Sequence, residues 1–220
     1  MGRLMLWRAG RFLNWLGLFL WLLSLTIILT FGSTWLYRLD IHYFEILKGV
    51  PMTTATLMKN YHQMLSYVTL PWVQNLHMTD FESSFAGTLH FTDVRHLVFI
   101  DYAVFLVTSV TSWLFLRFLH RKRQLWQLIR PFQFMMGIPF VVLFLLAMNF
   151  QTFFTDFHKL LFRNSDWLFD PNTDPIILVL PEGFFMHCFI LAIILLEVFL
   201  LIGVLVGKRA LKKSPDKMGS

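Results

Sequence analysis

Cysteine is nearly absent: the chain has one, Cys188. No intrachain disulfide and no four-cysteine zinc site can form, and a single thiol inside an apolar run suits a small buried side chain. Charge is scarce too. Charged residues make up 15% of the 220, where an ordinary globular domain carries about 25%. No H-E-x-x-H pair occurs, and His90 and His96, six apart, fall on different faces of a helix, so a metal site is not expected. There is no G-x-S-x-G elbow for a serine nucleophile and no glycine-rich phosphate loop. Internal repeats and low-complexity stretches are also missing.

What is abundant is apolar surface. Hydrophobic residues reach 56%, with 25 phenylalanines and 8 tryptophans, and lipid is the solvent that such a surface fits. A helix needs about 20 apolar residues to cross a bilayer. Phe12 to Tyr37 holds no charge, nor does Pro131 to Thr155, and Gly183 to Gly207 holds only Glu197. A fourth run covers Leu97 to Leu119, with Asp101 and Arg117 near its ends. Runs of this length are helices, because lipid offers backbone groups no partner. The first is much longer than a signal-peptide core and no A-x-A site follows it, so it reads as a retained span.

Lysine and arginine set the expected orientation. Of the 19, 13 lie in the amino-terminal tail, the middle connection and the carboxyl tail; the other segments hold 6, against 11 acids. Four spans place all three basic segments on one side, the cytoplasm. The net charge of +6 therefore belongs to membrane flanks, and nucleic acid is not an expected partner. The expected architecture is an all-α membrane protein, a four-transmembrane-helix bundle with a small extracellular α/β cap. Its segments are 1–37 (cytoplasmic tail and first span), 38–96 (cap), 97–155 (second and third spans with a basic cytoplasmic loop), 156–182 (cap) and 183–220 (fourth span and cytoplasmic tail).

In the cap, apolar residues at helical spacing run from Thr53 or Thr54 to Val68, and Pro71 ends that helix. Phe85–Phe91 and Ile176–Leu180 read as strands or extended pieces, with Thr92 or Asp93 capping the second span. The third span is expected to continue through His158 into Phe162. Pro181 and Glu182 open the fourth span, and the last ten residues are expected to be disordered. Seven of the eight histidines fall outside or at the outer edge. His90 precedes the second span and His158 follows the third, so antiparallel neighbours bring them to one depth. Histidine is the side chain whose ordinary pKa suits proton transfer near neutrality. Glu197 reads as a group facing the bundle interior.

His90-Phe91-x-Asp93-Val94-Arg95 is the first distinctive stretch. The second runs from Phe157-His158 through Asn164-x-Asp166-Trp167-x2-Asp170-Pro171-x2-Asp174-Pro175 to Leu180-Pro181-Glu182-x-Phe184-Phe185, and Asn60-Tyr61 with Tyr67 joins them. In these the chain resembles the lipoprotein intramolecular transacylase family, small four-span bacterial membrane proteins. The resemblance implies an acyltransferase that moves an acyl chain from the sn-2 ester of a diacylglyceryl group to the α-amine of a lipoprotein's amino-terminal cysteine, leaving a lyso-lipoprotein. It implies no metal and no organic cofactor. The partners would be diacylglyceryl-modified lipoproteins and membrane lipids. His158 is then the expected base and His90 its electrophilic partner, with Asp93, Arg95, Tyr61, Asp166, Trp167, Asp170, Asp174 and Glu182 orienting them or binding substrate. The alternative is a non-enzymatic membrane chaperone or a lipid- or lipoprotein-binding subunit.

The basic-residue asymmetry makes the topology testable. A membrane-impermeant thiol reagent applied to intact cells should modify a cysteine placed at Asn172 and spare one placed at Lys212. The reverse pattern would sink the orientation.

Overall fold

The computed structural model describes residues 2–213, with side chains from Gly10 onward. Among the described residues the regular structure is helical, in the order α1 (Gly2–Gly32), α2 (Thr34–Tyr43), α3 (Thr54–Thr69), α4 (Phe85–Arg121), α5 (Ile129–Met135), α6 (Gly137–Met148), α7 (Phe150–Leu161) and α8 (Glu182–Lys212). Short 3-10 turns cover Ile46–Lys48, Leu125–Leu128 and Pro175–Val179. Among the described residues, four stretches are long and apolar enough to cross a membrane: Gly10–Gly32, Phe85–Arg121, Leu125–Met148 and Glu182–Lys212. Only 11% to 22% of their most apolar windows is buried within the protein, so most of that surface needs lipid around it.

The expected strands are not there. Among the described residues no strand forms, and the α/β cap is all helix and turn. Phe85–Phe91 opens α4, because Ser84 caps it: the Ser84 hydroxyl accepts the Gly87 N–H at 2.9 Å. Thr92 and Asp93 therefore lie inside the helix rather than at its start. Ile176–Leu180 has no neighbouring strand to pair with, and after Pro175 it winds into a 3-10 turn.

The third apolar run is broken twice. Pro139 has no N–H and its ring clashes with the carbonyl four residues back, and the chain turns at Met136 between α5 and α6. Asn149 then takes an extended backbone and its side chain accepts the Thr152 N–H, at 2.9 Å. That cap starts α7 as a helix of its own, so the continuous helix into Phe162 is corrected. Likewise α1 stops at Gly32 and α2 begins at Thr34. α8 runs through Lys212 and Lys213 follows in a turn, while residues 214–220 of the tail expected to be disordered lie outside the described residues.

The chain divides into two compact units. The first takes residues up to Ile28, Tyr102–Phe144 and the chain from Ala192 on. Its core joins α1, α4, α5 and α8 through Leu18, Leu22, Phe115, Leu119, Phe132, Leu200 and Val204. The indole of Trp21 donates to Ser109 Oγ at 2.9 Å. The second unit takes Leu29–Asp101 and Leu145–Leu191. Its centre is the stack of Tyr37 on Tyr61, ring centroids 4.1 Å apart. The Tyr37 hydroxyl donates to the Val179 carbonyl at 2.7 Å. Thr53 caps α3 by accepting the Thr56 N–H at 3.1 Å. From α3, the fully buried Asn60 donates to the Asp80 carboxylate at 2.7 Å and accepts the Asp80 N–H at 2.9 Å, pinning the chain that follows the helix.

Close packing makes the first unit's core intolerant of added volume. A Cβ on Gly203 would stand 2.1 Å from a ring carbon of Phe132, itself buried. Helix propensity alone would favour Gly203→Ala by about 1 kcal/mol, but overpacking costs about 1–3 kcal/mol. Gly203→Ala should lower the melting temperature in detergent, whereas Gly10→Ala, with nothing near its added Cβ, should not. Equal melting of both variants would contradict this packing.

Candidate active site

His90 lies in the second turn of α4, and the start of that helix sets where it points. The buried Asp174 carboxylate accepts the Ser84 N–H at 2.8 Å. This complements the free N–H groups and the positive end of the helix dipole. A Cβ at residue 87 would lie 2.1 Å from Asp174 Oδ1, so only glycine admits the carboxylate. Held this way, the buried His90 ring meets the edges of Phe162 and Phe169, with centroids at 4.9 and 5.5 Å.

His158 comes from α7. Phe150, Phe153, Phe154 and Phe157 recur at helical spacing, and the last two flank His158. His158 Nδ1 is 2.7 Å from the Phe154 carbonyl. A carbonyl only accepts, so Nδ1 carries the hydrogen, and in the neutral ring the lone pair sits on Nε2. Phe154 and Trp167 lie against the ring at 4.1 and 5.0 Å. The two imidazoles face each other with centroids 5.9 Å apart and planes inclined by 36°.

Asn164, three residues past the end of α7, ties these pieces together. Its side chain donates to Asp93 Oδ2 at 2.9 Å, one turn along α4 from His90. Its carbonyl accepts the Trp167 indole N–H at 3.1 Å, and its side-chain oxygen accepts the Asp166 N–H at 3.3 Å. The sequence places Asn164 in a distinctive stretch without giving it a role; a bond that spans 71 residues leaves no local pattern.

The walls are mostly hydrocarbon. Burial among these rings disfavours the imidazolium and pushes the His158 pKa below the ordinary histidine value, while the Phe154 carbonyl pulls the other way. His90 Nδ1 is buried with no hydrogen-bond partner among the described residues. One imidazole thus offers a lone pair and the other an uncommitted nitrogen, a pair suited to moving a proton across a substrate held between them.

A family model for the lipoprotein intramolecular transacylase Lit matches residues 12–185. The chain belongs to that family. Its fold follows that of a solved membrane-integral lipoprotein intramolecular transacylase Lit from Bacillus cereus, with 26% identity and a TM-score of 0.90 over 97% of this chain and 99% of that one. A form of the same Bacillus cereus protein with one histidine replaced by arginine matches at 27% identity and a TM-score of 0.81, over 97% of this chain and 98% of that one. No curated protein sequence matches. Proteins named as this family is are acyltransferases, and this chain is one of that class.

The other residues singled out in this Lit-family chain fall into two groups. Asp93, Asp166 and Trp167 stand with the histidines through Asn164. The rest hold the scaffold. Arg95 is buried, donates to the carbonyls of Tyr67, Pro71 and Val73, and lies over the rings of Tyr67 and Phe99. Asp170 folds its own turn by accepting the Asn172 N–H at 2.9 Å. Asp174 caps α4 as described. Tyr61 stacks on Tyr37, and burial raises its pKa. Glu182 is exposed in the first turn of α8, favourable against the helix dipole. One contact was missed altogether. The buried Asp40 accepts from His187 Nδ1 at 2.8 Å, joining α2 to α8. Among the described residues no group of three or more His, Cys, Asp or Glu could hold a metal ion.

The His158 geometry can be read in solution. An ordinary histidine is about half protonated at pH 6.5. Nitrogen NMR of histidine-labelled protein in detergent should show His158 mainly neutral at that pH, with the hydrogen on Nδ1, and charging only on further acidification. A half-protonated ring at pH 6.5, or the hydrogen on Nε2, would contradict the arrangement.

Proposed function

We propose that this chain moves an acyl chain within diacylglyceryl-modified lipoproteins, from the glyceryl sn-2 ester to the α-amine of the amino-terminal cysteine. The site works at the extracellular face, with both termini in the cytoplasm. The observation that carries the reading is the facing imidazole pair, with the His158 Nδ1–H tied to the Phe154 carbonyl. Nε2 of His158 takes a proton from the attacking amine as nitrogen bonds to the sn-2 carbonyl carbon. His90 donates to the developing oxyanion. The carbon–oxygen bond to glycerol then breaks, and His158 returns its proton to the leaving alkoxide. The products are an amide and a free sn-2 hydroxyl, with no net proton change from the neutral amine. Amine and ester belong to one molecule, so positioning supplies much of the rate. The aromatic walls suit acyl chains and keep water from competing as the nucleophile.

The test is mass spectrometry of a lipoprotein's amino terminus in cells that express the variants. General acid–base groups contribute about 10²- to 10⁴-fold. His158→Ala and His90→Ala should each lose lyso-lipoprotein formation on that order while accumulating in normal amounts. His42→Ala and His96→Ala, both exposed, should stay near wild type. Wild-type lyso-product from both members of the pair would overturn the catalytic reading and favour a binding role.

A further inference from the structure

One groove in the second unit is lined by neither histidine of the pair. It encloses about 700 Å³ beside α2 and α3, and Arg38, Lys59, His62 and His77 line it over the apolar Met58 and Val73. Among the described residues no carboxylate lines it. Neither Arg38 nor Lys59 enters any salt bridge among those residues. Several carboxylates of the same unit are committed elsewhere: Asp80 to Asn60, Asp93 to Asn164, Asp174 to Ser84 and Glu45 to Lys48. Between residues 38 and 77 the acids are Asp40 and Glu45, which meet His187 and Lys48 and so leave Arg38 and Lys59 without a carboxylate from these segments. Two cations sharing a groove without a counter-charge repel each other. An anion removes that cost.

The neighbouring surface says what kind of anion. Trp35, Leu39 and Tyr43 form an exposed stripe on α2, at 54%, 58% and 72% exposure, with the amphipathic rings typical of a membrane–water interface. Arg38 lies on α2 between Trp35 and Leu39 of that stripe, and the groove that it lines also carries the apolar Met58 and Val73. A cation beside an interfacial stripe meets lipid phosphates before it meets soluble anions.

We infer that this groove binds the phosphodiester headgroup of an anionic membrane lipid, with Arg38 and Lys59 holding the phosphate. The acyl-transfer substrate of the proposed reaction carries no phosphate, so this is a second lipid site and does not rest on that reading. His62 and His77 complete the polar rim.

Native mass spectrometry of the full-length protein released from detergent micelles tests it, with phosphatidylglycerol, phosphatidylcholine, inorganic phosphate and an acidic peptide as separate probes. The wild type should retain phosphatidylglycerol at least ten times more tightly than phosphatidylcholine. Arg38→Gln/Lys59→Gln should lose that preference without a change in melting temperature. In the wild type the preference should weaken as salt is raised, which checks the electrostatic origin without any variant. A salt-independent preference, or one kept by a folded double variant, would overturn the proposal. So would displacement of the lipid by millimolar phosphate, which would mark a site for free anions, or tighter binding of the acidic peptide, which would mark a polypeptide site.

Discussion

A buried carboxylate at a helix start holds the candidate site in place. Asp174 belongs to the chain between α7 and α8, yet its partner is the Ser84 N–H ahead of α4. Burying a carboxylate is costly unless it is hydrogen-bonded. Here the unpaired N–H groups and dipole of a helix start offset that cost, and Gly87 leaves the space. Once the first turn is placed, helix geometry determines the rest. His90 and Asp93 follow one turn apart on α4, and Asn164 reaches Asp93 from the same connecting chain that bears Asp174. Two polar ties, at Asn164 and Asp174, therefore join that chain to α4, and its Phe162 and Phe169 pack on His90.

The phenylalanines do two different jobs. Phe12, Phe134, Phe140 and Phe144 are exposed on the apolar helices of the first unit, where lipid covers them. Phe154, Phe162 and Phe169 instead pack on the two histidines. They surround both rings with hydrocarbon, and burial among them favours the neutral form of His158. Composition alone cannot separate the two uses, since both ask for the same side chain. The polar contact that chooses the tautomer comes from the backbone, through the Phe154 carbonyl, and so is independent of the identity of residue 154.

The two breaks in the third apolar run matter for the same site. Pro139 and Asn149 divide what reads as one long apolar segment into α5, α6 and α7. The Asn149 cap frees α7 from the helix before it, so the direction of His158 is set by packing on Phe185 and Phe189 of α8 rather than by a rigid extension of the membrane helix. Arg95 was legible as important, but its neighbours reveal another duty. It gathers the carbonyls at the end of α3 and just beyond it, a structural use that its place beside His90 and Asp93 in sequence could not disclose.

Apolar run lengths by themselves determined that this is a helical membrane protein, because lipid leaves the backbone no partner but its own helix. The residues of the family motifs were legible as well, down to His90 and His158. The start of α3 at Thr53 and that of α8 at Glu182 were legible, whereas the starts at Ser84 and Asn149 were missed because an apolar pattern masked an equally local cap. The roles within the site were decided only by the tertiary structure. That Asn164 reaches Asp93, that Asp174 caps a helix 90 residues earlier, and that Asp40 meets His187 all depend on contacts between segments remote in the chain. A local pattern records the preference of each segment for helix or turn, but not the partner that a buried polar group finds when another segment closes over it.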